Sequence, residues 1–259
     1  MKNTTAISVK GVDFNYGTQI ILNQVNIDFK KGEFTVLLGR NGCGKSTLFG
    51  LISGLEQYKS GSIKILDKER KKLSFAQSSR IMGFLPQFHK PVFPFKVKEV
   101  VLTGRAAFSG FYPSESDKKL VEEALNELDI AHLAERPYSE LSGGEQQLVM
   151  IARVMVQNPP IILLDEPTNH LDVYYQTYVM QRLQRLCDKG LTVIAIMHDP
   201  NLALSYADKA FFLKDQKIID PLNTSFKSKT ALLEHIYDVP FMSLSNGKTD
   251  YYLPKRKEI

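Results

Sequence analysis

Nine consecutive residues, Gly39-Arg40-Asn41-Gly42-Cys43-Gly44-Lys45-Ser46-Thr47, combine spaced glycines with a lysine and two hydroxyls. Glycine at 39, 42 and 44 lets the backbone curl tightly enough for successive N–H groups to face an anion. A helix opening at about Lys45 would add its positive end. In such a loop Lys45 reaches the β- and γ-phosphates of a nucleotide and the Ser46 hydroxyl ligates Mg²⁺. The spacing predicts nucleotide binding.

Two further segments bear on what is done with that nucleotide. Ile161-Ile162-Leu163-Leu164-Asp165-Glu166 is an apolar strand ending in paired carboxylates. Asp165 can hold Mg²⁺ directly or through water. Glu166 is then free to orient and deprotonate an attacking water, a positioned proton transfer worth about 10²–10⁴ in rate. The same pair can also do no more than close a strand. Between loop and strand lies Leu141-Ser142-Gly143-Gly144-Glu145, two bare glycines at the start of an amphipathic helix. Ser142, Gly143 and Gly144 make a second anion-binding helix terminus, although taken alone they fit an ordinary glycine-rich helix start equally well. The first loop already wraps one set of phosphates. A second phosphate site in the same chain suggests an ATP shared head to tail between two copies.

The elements that must position these groups follow from periodicity. Ile7–Phe29 reads as strands, with Val25, Ile27 and Phe29 alternating against Asn26, Asp28 and Lys30 in a half-buried antiparallel pattern. Lys31-Gly32-Glu33 turns into Phe34–Leu38, apolar on both faces as a buried parallel strand should be. The glycine loop comes next, then a helix through Leu48, Leu51 and Ile52, the strand–loop–helix context that the motif requires. Strands at 161–165 and 192–197 are expected to complete an α/β core. After Pro91 and Pro94 the period becomes helical: Val97, Val100 and Val101 share a face, as do Val121, Ala124, Leu125 and Leu128 behind a Ser114/Asp117 capping box, and Leu148, Ile151, Ala152 and Met155. Beyond about 220 the pattern weakens to a tail with one helix, Thr230–Ile236. The expectation is a single domain over 1–259, with its core at about 1–90 and 159–220, a helical subdomain at about 91–158 and a tail at about 221–259.

Composition narrows the classes. A length of 259 residues and 43% hydrophobic content suit one domain carrying an inserted subdomain. No apolar run approaches the roughly 20 residues of a membrane span, and Met1–Thr5 has no apolar signal segment behind its charge. These features predict a cytosolic polypeptide that reaches any membrane through a partner. Cys43 and Cys187 give neither a disulfide framework nor metal spacing, and His89, His132, His170, His198 and His235 are scattered, which argues against zinc. The net charge of +5 is too diffuse to indicate nucleic acid, and the basic run Lys255-Arg256-Lys257 reads as solvated.

The ordered set of motifs resembles the ATP-binding subunits of ABC transporters over about residues 7–220. The resemblance implies an α/β fold: a P-loop NTPase (RecA-like) core with an N-terminal antiparallel β subdomain and an inserted α-helical subdomain. It makes Tyr16 the aromatic that stacks on adenine and Gln87, after a strand at Ile81–Leu85, the glutamine that senses Mg²⁺ and the membrane partner. Asn169-His170-Leu171-Asp172 becomes the D-loop, with Asp172 facing nucleotide. His198 becomes the switch histidine at the γ-phosphate. Unaided, Tyr16 reads as a strand aromatic and His198 as a capped strand end. Implied with these roles is a homodimer that closes on two ATP molecules. Each would lie between one copy's loop (Gly39–Thr47, Arg40, Asn41 and Cys43 included) and the other's Ser142, Gly143, Gly144 and Glu145. Closure would drive integral membrane permease subunits, fed by a substrate-binding protein, docked near Gln87 and Phe88–Arg105. The chain would then sit peripherally on the cytoplasmic face of the membrane.

Pro94–Arg105 together with Glu166–Asp172 resembles the importer branch for iron chelates (siderophores, haem) and cobalamin. That branch often carries arginine where Gln146 and Leu148 stand here, and proline in place of Arg40. Molybdate importers look similar through 81–105 and lack some of those arginines, so molybdate or another metal is the alternative cargo. A soluble ABC ATPase would share every nucleotide motif, but its translation and repair types usually join two such domains or carry a long coiled coil, and this chain has neither. A bare P-loop kinase would leave Leu141–Glu145 and the Glu166/His198 pair unexplained.

Overall fold

The structure, a computed structural model, describes residues 4–87, 95–106, 108, 113–247 and 249–255. Pro91, Pro94, most of the expected docking segment before Phe95, and Arg256 and Lys257 of the basic run lie outside them. The chain gathers into two compact units, Met1–Lys71 with Ile194–Ile259, and Lys72–Val193.

In the first unit β1 (Thr5–Tyr16) and β2 (Gln19–Lys30) pair antiparallel. With β4 (Ser60–Ile65) and β5 (Lys68–Glu69) they form a four-stranded sheet in the order β2-β1-β4-β5. The alternation read at Val25, Ile27 and Phe29 is the buried face of β2. β3 (Phe34–Leu38) is buried along its whole length and runs parallel to β9 (Lys209–Lys214). With β10 (Lys217–Ile219) and β8 (Thr192–Ile196) the order is β10-β9-β3-β8. The buried face of α1 (Lys45–Ser53) includes the expected Leu48, Leu51 and Ile52. The helix stops at Gly54, whose φ of 85° is a left-handed cap. α7 (Pro200–Tyr206) follows β8 and α8 (Lys229–Tyr237) lies in the tail.

The second unit holds α2 (Phe75–Ile81), β6 (Met82–Leu85), α3 (Val97–Leu102), α4 (Glu115–Glu127), α5 (Gly143–Met155), β7 (Ile161–Asp165) and α6 (Val173–Asp188). β6 and β7 are parallel, in the order β8-β7-β6. The expected apolar faces of α3 and α4 are buried, and Ser114 and Asp117 form the capping box. Asp117, 3% exposed, also accepts from Arg105 Nε at 2.7 Å. α5 is buried more widely than its period suggested: Val149, Met150 and Val154 join Leu148, Ile151 and Ala152, while Met155 is half-buried.

Several expectations need correction. Ile81 ends α2 behind a Ser74/Gln77 capping box, and the strand begins at Met82. Two strands do not complete the core, because β9 and β10 extend it. The tail contains, besides its helix, a hairpin of β11 (Phe241–Ser245) and β12 (Asp250–Pro254). Asn246-Gly247 between them was the signal that could have revealed it.

Candidate functional site

In the first unit the glycine loop leaves the end of β3 with Gly39 at φ 146°, Gly42 at 76° and Gly44 at 108°. All three lie where L side chains are disfavoured. At two of them space is also short: a Cβ on Gly39 would strike the Leu213 carbonyl, and one on Gly44 would stand 2.9 Å from Ile21 Cγ2. Lys45, 5% exposed, folds back inside the loop and donates from Nζ to the carbonyls of Gly39 (2.8 Å) and Arg40 (3.0 Å). Asn41, Gly42 and Ser46 are exposed, and Thr47 is half-buried at the side of the Tyr16 hydroxyl. Burial pushes the Cys43 thiol above its ordinary range against the pull of the Lys45 charge.

Tyr16, 50% exposed, leans edge-on against Phe14 and donates to Glu56 Oε1 at 3.0 Å, which fixes the ring at the strand end while leaving much of it open. His198 follows β8 and lines a cavity of about 690 Å³ together with Gly39, Arg40, Asn41 and Tyr237. The fold thus brings His198 to a loop far from it in sequence. The Tyr237 hydroxyl is held in the protonated form by burial, reinforced by Asp199. Sequence reasoning had not reached the other tail residues at this place. Asn201 grips the backbone of β12 at both ends of its amide, donating to Tyr252 O at 2.9 Å and accepting from Tyr252 N at 2.7 Å. Arg40 pairs with Asp238 at 2.6 Å, and Lys214 reaches the other oxygen of that carboxylate.

In the second unit Asp165 ends β7 and is 7% exposed. Glu166 turns into the left-handed region at φ 57°. Its Oε2 accepts from the Gln87 side-chain amide and from Asn169 Nδ2, the latter at 2.8 Å. The structure therefore joins the two residues expected to handle water and metal, and it adds Asn169 as a third. Asp172 caps α6, accepting from Tyr175 N at 2.8 Å.

Ser142 caps α5 in a reciprocal box. Its Oγ accepts from Glu145 N at 3.3 Å, and Glu145 Oε2 accepts from Ser142 N at 2.8 Å. Although burial works against it, the Ser142 N–H and hydroxyl hold the Glu145 carboxyl below the usual range. Gln146 donates to the carbonyls of Tyr138 (3.3 Å) and Leu141 (3.2 Å), which ties down the turn before the cap. Leu148 is 1% exposed, so an arginine there would bury a charge.

Residues 22–169 match the family model described as "ABC transporter". The chain belongs to the ABC transporter family. It is an ATPase of that family. It is 34% identical over 92% of its length to a hemin import ATP-binding protein, HmuV, of Streptomyces coelicolor, covering 85% of that protein. To the molybdate import ATP-binding protein MolC of Haemophilus influenzae it is 35% identical, over 82% of this chain and 80% of MolC. It spans only 55% of the length of another relative, the uncharacterized ABC transporter ATP-binding protein YvrA of Bacillus subtilis, at 34% identity. Its backbone superposes with TM-score 0.84 on a chain of a metal-chelate type ABC transporter in an inward-facing conformation, 30% identical and covering 98% of both chains.

Proposed function

We propose that this ABC ATPase is the nucleotide-binding subunit of an importer for an iron chelate, haem or cobalamin. It would work as a head-to-tail homodimer beneath integral membrane permease subunits served by a substrate-binding protein. The observation that carries the dimer is the unlike construction of the two helix starts. The loop at Gly39–Thr47 carries its own lysine, Lys45, folded back onto the loop carbonyls. The terminus at Ser142–Gly144 has an exposed serine and open space over Gly143, but no cation of its own in the motif. The hemin-importer relatives and the metal-chelate structure support the cargo class; the MolC relative supports molybdate as the second reading.

In this reading the loop amides and Lys45 hold the β- and γ-phosphates, while Tyr16 offers its exposed face to adenine. Ser46 offers a hydroxyl oxygen, and in the second unit Asp165 and Gln87 offer carboxylate and carboxamide oxygens, each a hard donor of the kind Mg²⁺ takes. Bound there, the ion would neutralise charge developing between the phosphates. Glu166, held by Gln87 and Asn169, takes the proton of the attacking water, and His198 steadies the γ-phosphate. ATP drives closure only to the extent that it binds the closed dimer better than the open one. Among the described residues no helix is long and apolar enough to cross a membrane. The permease would therefore hold the subunit at the cytoplasmic face, docking near Gln87 and α3.

The experiment is purification with any integral membrane protein that accompanies the chain, reconstitution in vesicles, and ATPase assay with each cargo on its binding protein. Stimulation by a haem or chelate complex is expected. Stimulation by molybdate alone would favour the second reading, and hydrolysis with no membrane partner and no cargo response would overturn the importer assignment.

A further inference from the structure

The glycine at position 144 is required by something other than phosphate. Gly143 has open space where a side chain would begin, and neither it nor Gly144 has a positive φ. Gly144, however, is buried, and a Cβ there would run into Cγ, Cδ1 and Cδ2 of Tyr175. The Tyr175 ring thus lies flush on the backbone of the first turn of α5. Its hydroxyl completes the seat by accepting from Ser142 Oγ at 3.3 Å. Tyr175 stands in the first turn of α6, where its own N–H is taken by Asp172. One side chain therefore joins the starts of two helices, the one capped by Ser142 and the one capped by Asp172. In the ATP-sandwich reading both caps face the second copy.

We propose that Tyr175 is a positioning residue for ATP-dependent dimerisation. Its ring on Gly144 and its hydroxyl at Ser142 hold the α5 terminus in register with the α6 terminus, so that Ser142 and Asp172 meet the second copy as one rigid edge. The proposal rests on the ATP-sandwich reading. The ring contributes shape and the hydroxyl contributes aim, because Ser142 Oγ also accepts from the helix backbone and its rotamer is set by both partners.

The test measures ATP-dependent dimerisation by sedimentation in the Glu166→Gln background, with monomer affinity for ATP read separately by a fluorescent analogue. Tyr175→Phe keeps the ring and loses one hydrogen bond, so dimerisation should weaken about three- to tenfold. Tyr175→Ala should weaken it further. Gly144→Ala should do worst of the single changes, and adding Tyr175→Ala to it should restore dimerisation to the level of Tyr175→Ala alone. Monomer ATP affinity should stay unchanged throughout. Full dimerisation by Gly144→Ala or by Tyr175→Ala would overturn the proposal, as would losses that simply add in the double variant. If monomer ATP binding fell in parallel, Tyr175 would be a general folding residue and the proposal would fail. Failure of the Glu166→Gln parent to dimerise with ATP would instead sink the sandwich reading beneath it.

Discussion

Among the described residues two helix starts carry glycine, at the N-cap of α1 and in the first turn of α5, and they are built on opposite plans. At α1 three left-handed glycines bend the loop around a lysine that already sits among its carbonyls. No side-chain hydrogen bond caps the helix at Gly44. At α5 a serine caps the helix, a glutamate closes the box, and neither glycine is left-handed. The first is a curled loop with its own buried lysine. The second is a terminus closed by its own capping box, with open space over Gly143. The glycines differ accordingly: Gly39 and Gly44 serve backbone conformation, whereas Gly144 makes room for a neighbour.

The largest effect that would sharpen this contrast is at Glu166. Glu166→Gln should lower ATP hydrolysis by about 10²–10⁴ while leaving nucleotide binding intact, so that equilibrium binding and steady-state hydrolysis part company and dimers accumulate. An active variant would remove Glu166 as the base. Next is Ser142→Arg, which deletes the cap and fills the space above Gly143. ATP-dependent dimerisation should be lost with monomer ATP affinity changed less than about twofold; undiminished dimerisation in sedimentation would show that the α5 terminus does not complete a site.

Smaller effects separate the glycines themselves. Gly39→Ala should destabilise the protein by about 1–3 kcal/mol through its left-handed φ alone, beyond the collision with Leu213, and should weaken ATP binding. Gly143→Ala, with open space and helical backbone, should stabilise it by roughly 0.5–1 kcal/mol. Equal melting-temperature shifts in the two variants would erase the distinction. The smallest expected effect is chemical. Because burial raises the Cys43 thiol, iodoacetamide labelling followed by mass spectrometry should be slow at neutral pH and keep rising above pH 9, and ATP should protect. Fast labelling at neutral pH, or no protection, would place Cys43 outside the cradle.

What the sequence made readable was local. The P-loop, its flanking strand and helix, and the capping boxes lie within a few residues of one another, and their period and spacing carry them. The joins were not readable. Glu166 meets Gln87 from 79 residues away, Tyr175 meets Ser142 from 33 residues away, and no local pattern announces either. β9 and β10 were hidden for another reason. Their two-residue turn is Asp215-Gln216, and the one between β4 and β5 is Leu66-Asp67, all four at positive φ without a glycine. Hairpin turns of this kind favour Asn-Gly or Asp-Gly, so the usual marker is missing. In the β11–β12 hairpin Asn246-Gly247 supplied that marker, but each strand buries a single residue, Phe241 and Tyr252, so no buried face marks the strands around it.

On the proposed role of Glu166 as the base, its left-handed backbone sets stability against turnover at a single residue. A non-glycine side chain at φ 57° costs on the order of 1 kcal/mol, and asparagine or glycine would tolerate the bend better. A library of variants ranked by thermal resistance alone would therefore drift away from glutamate at 166 and yield sturdier proteins that no longer turn over. Only a selection that demands work from the molecule would keep it.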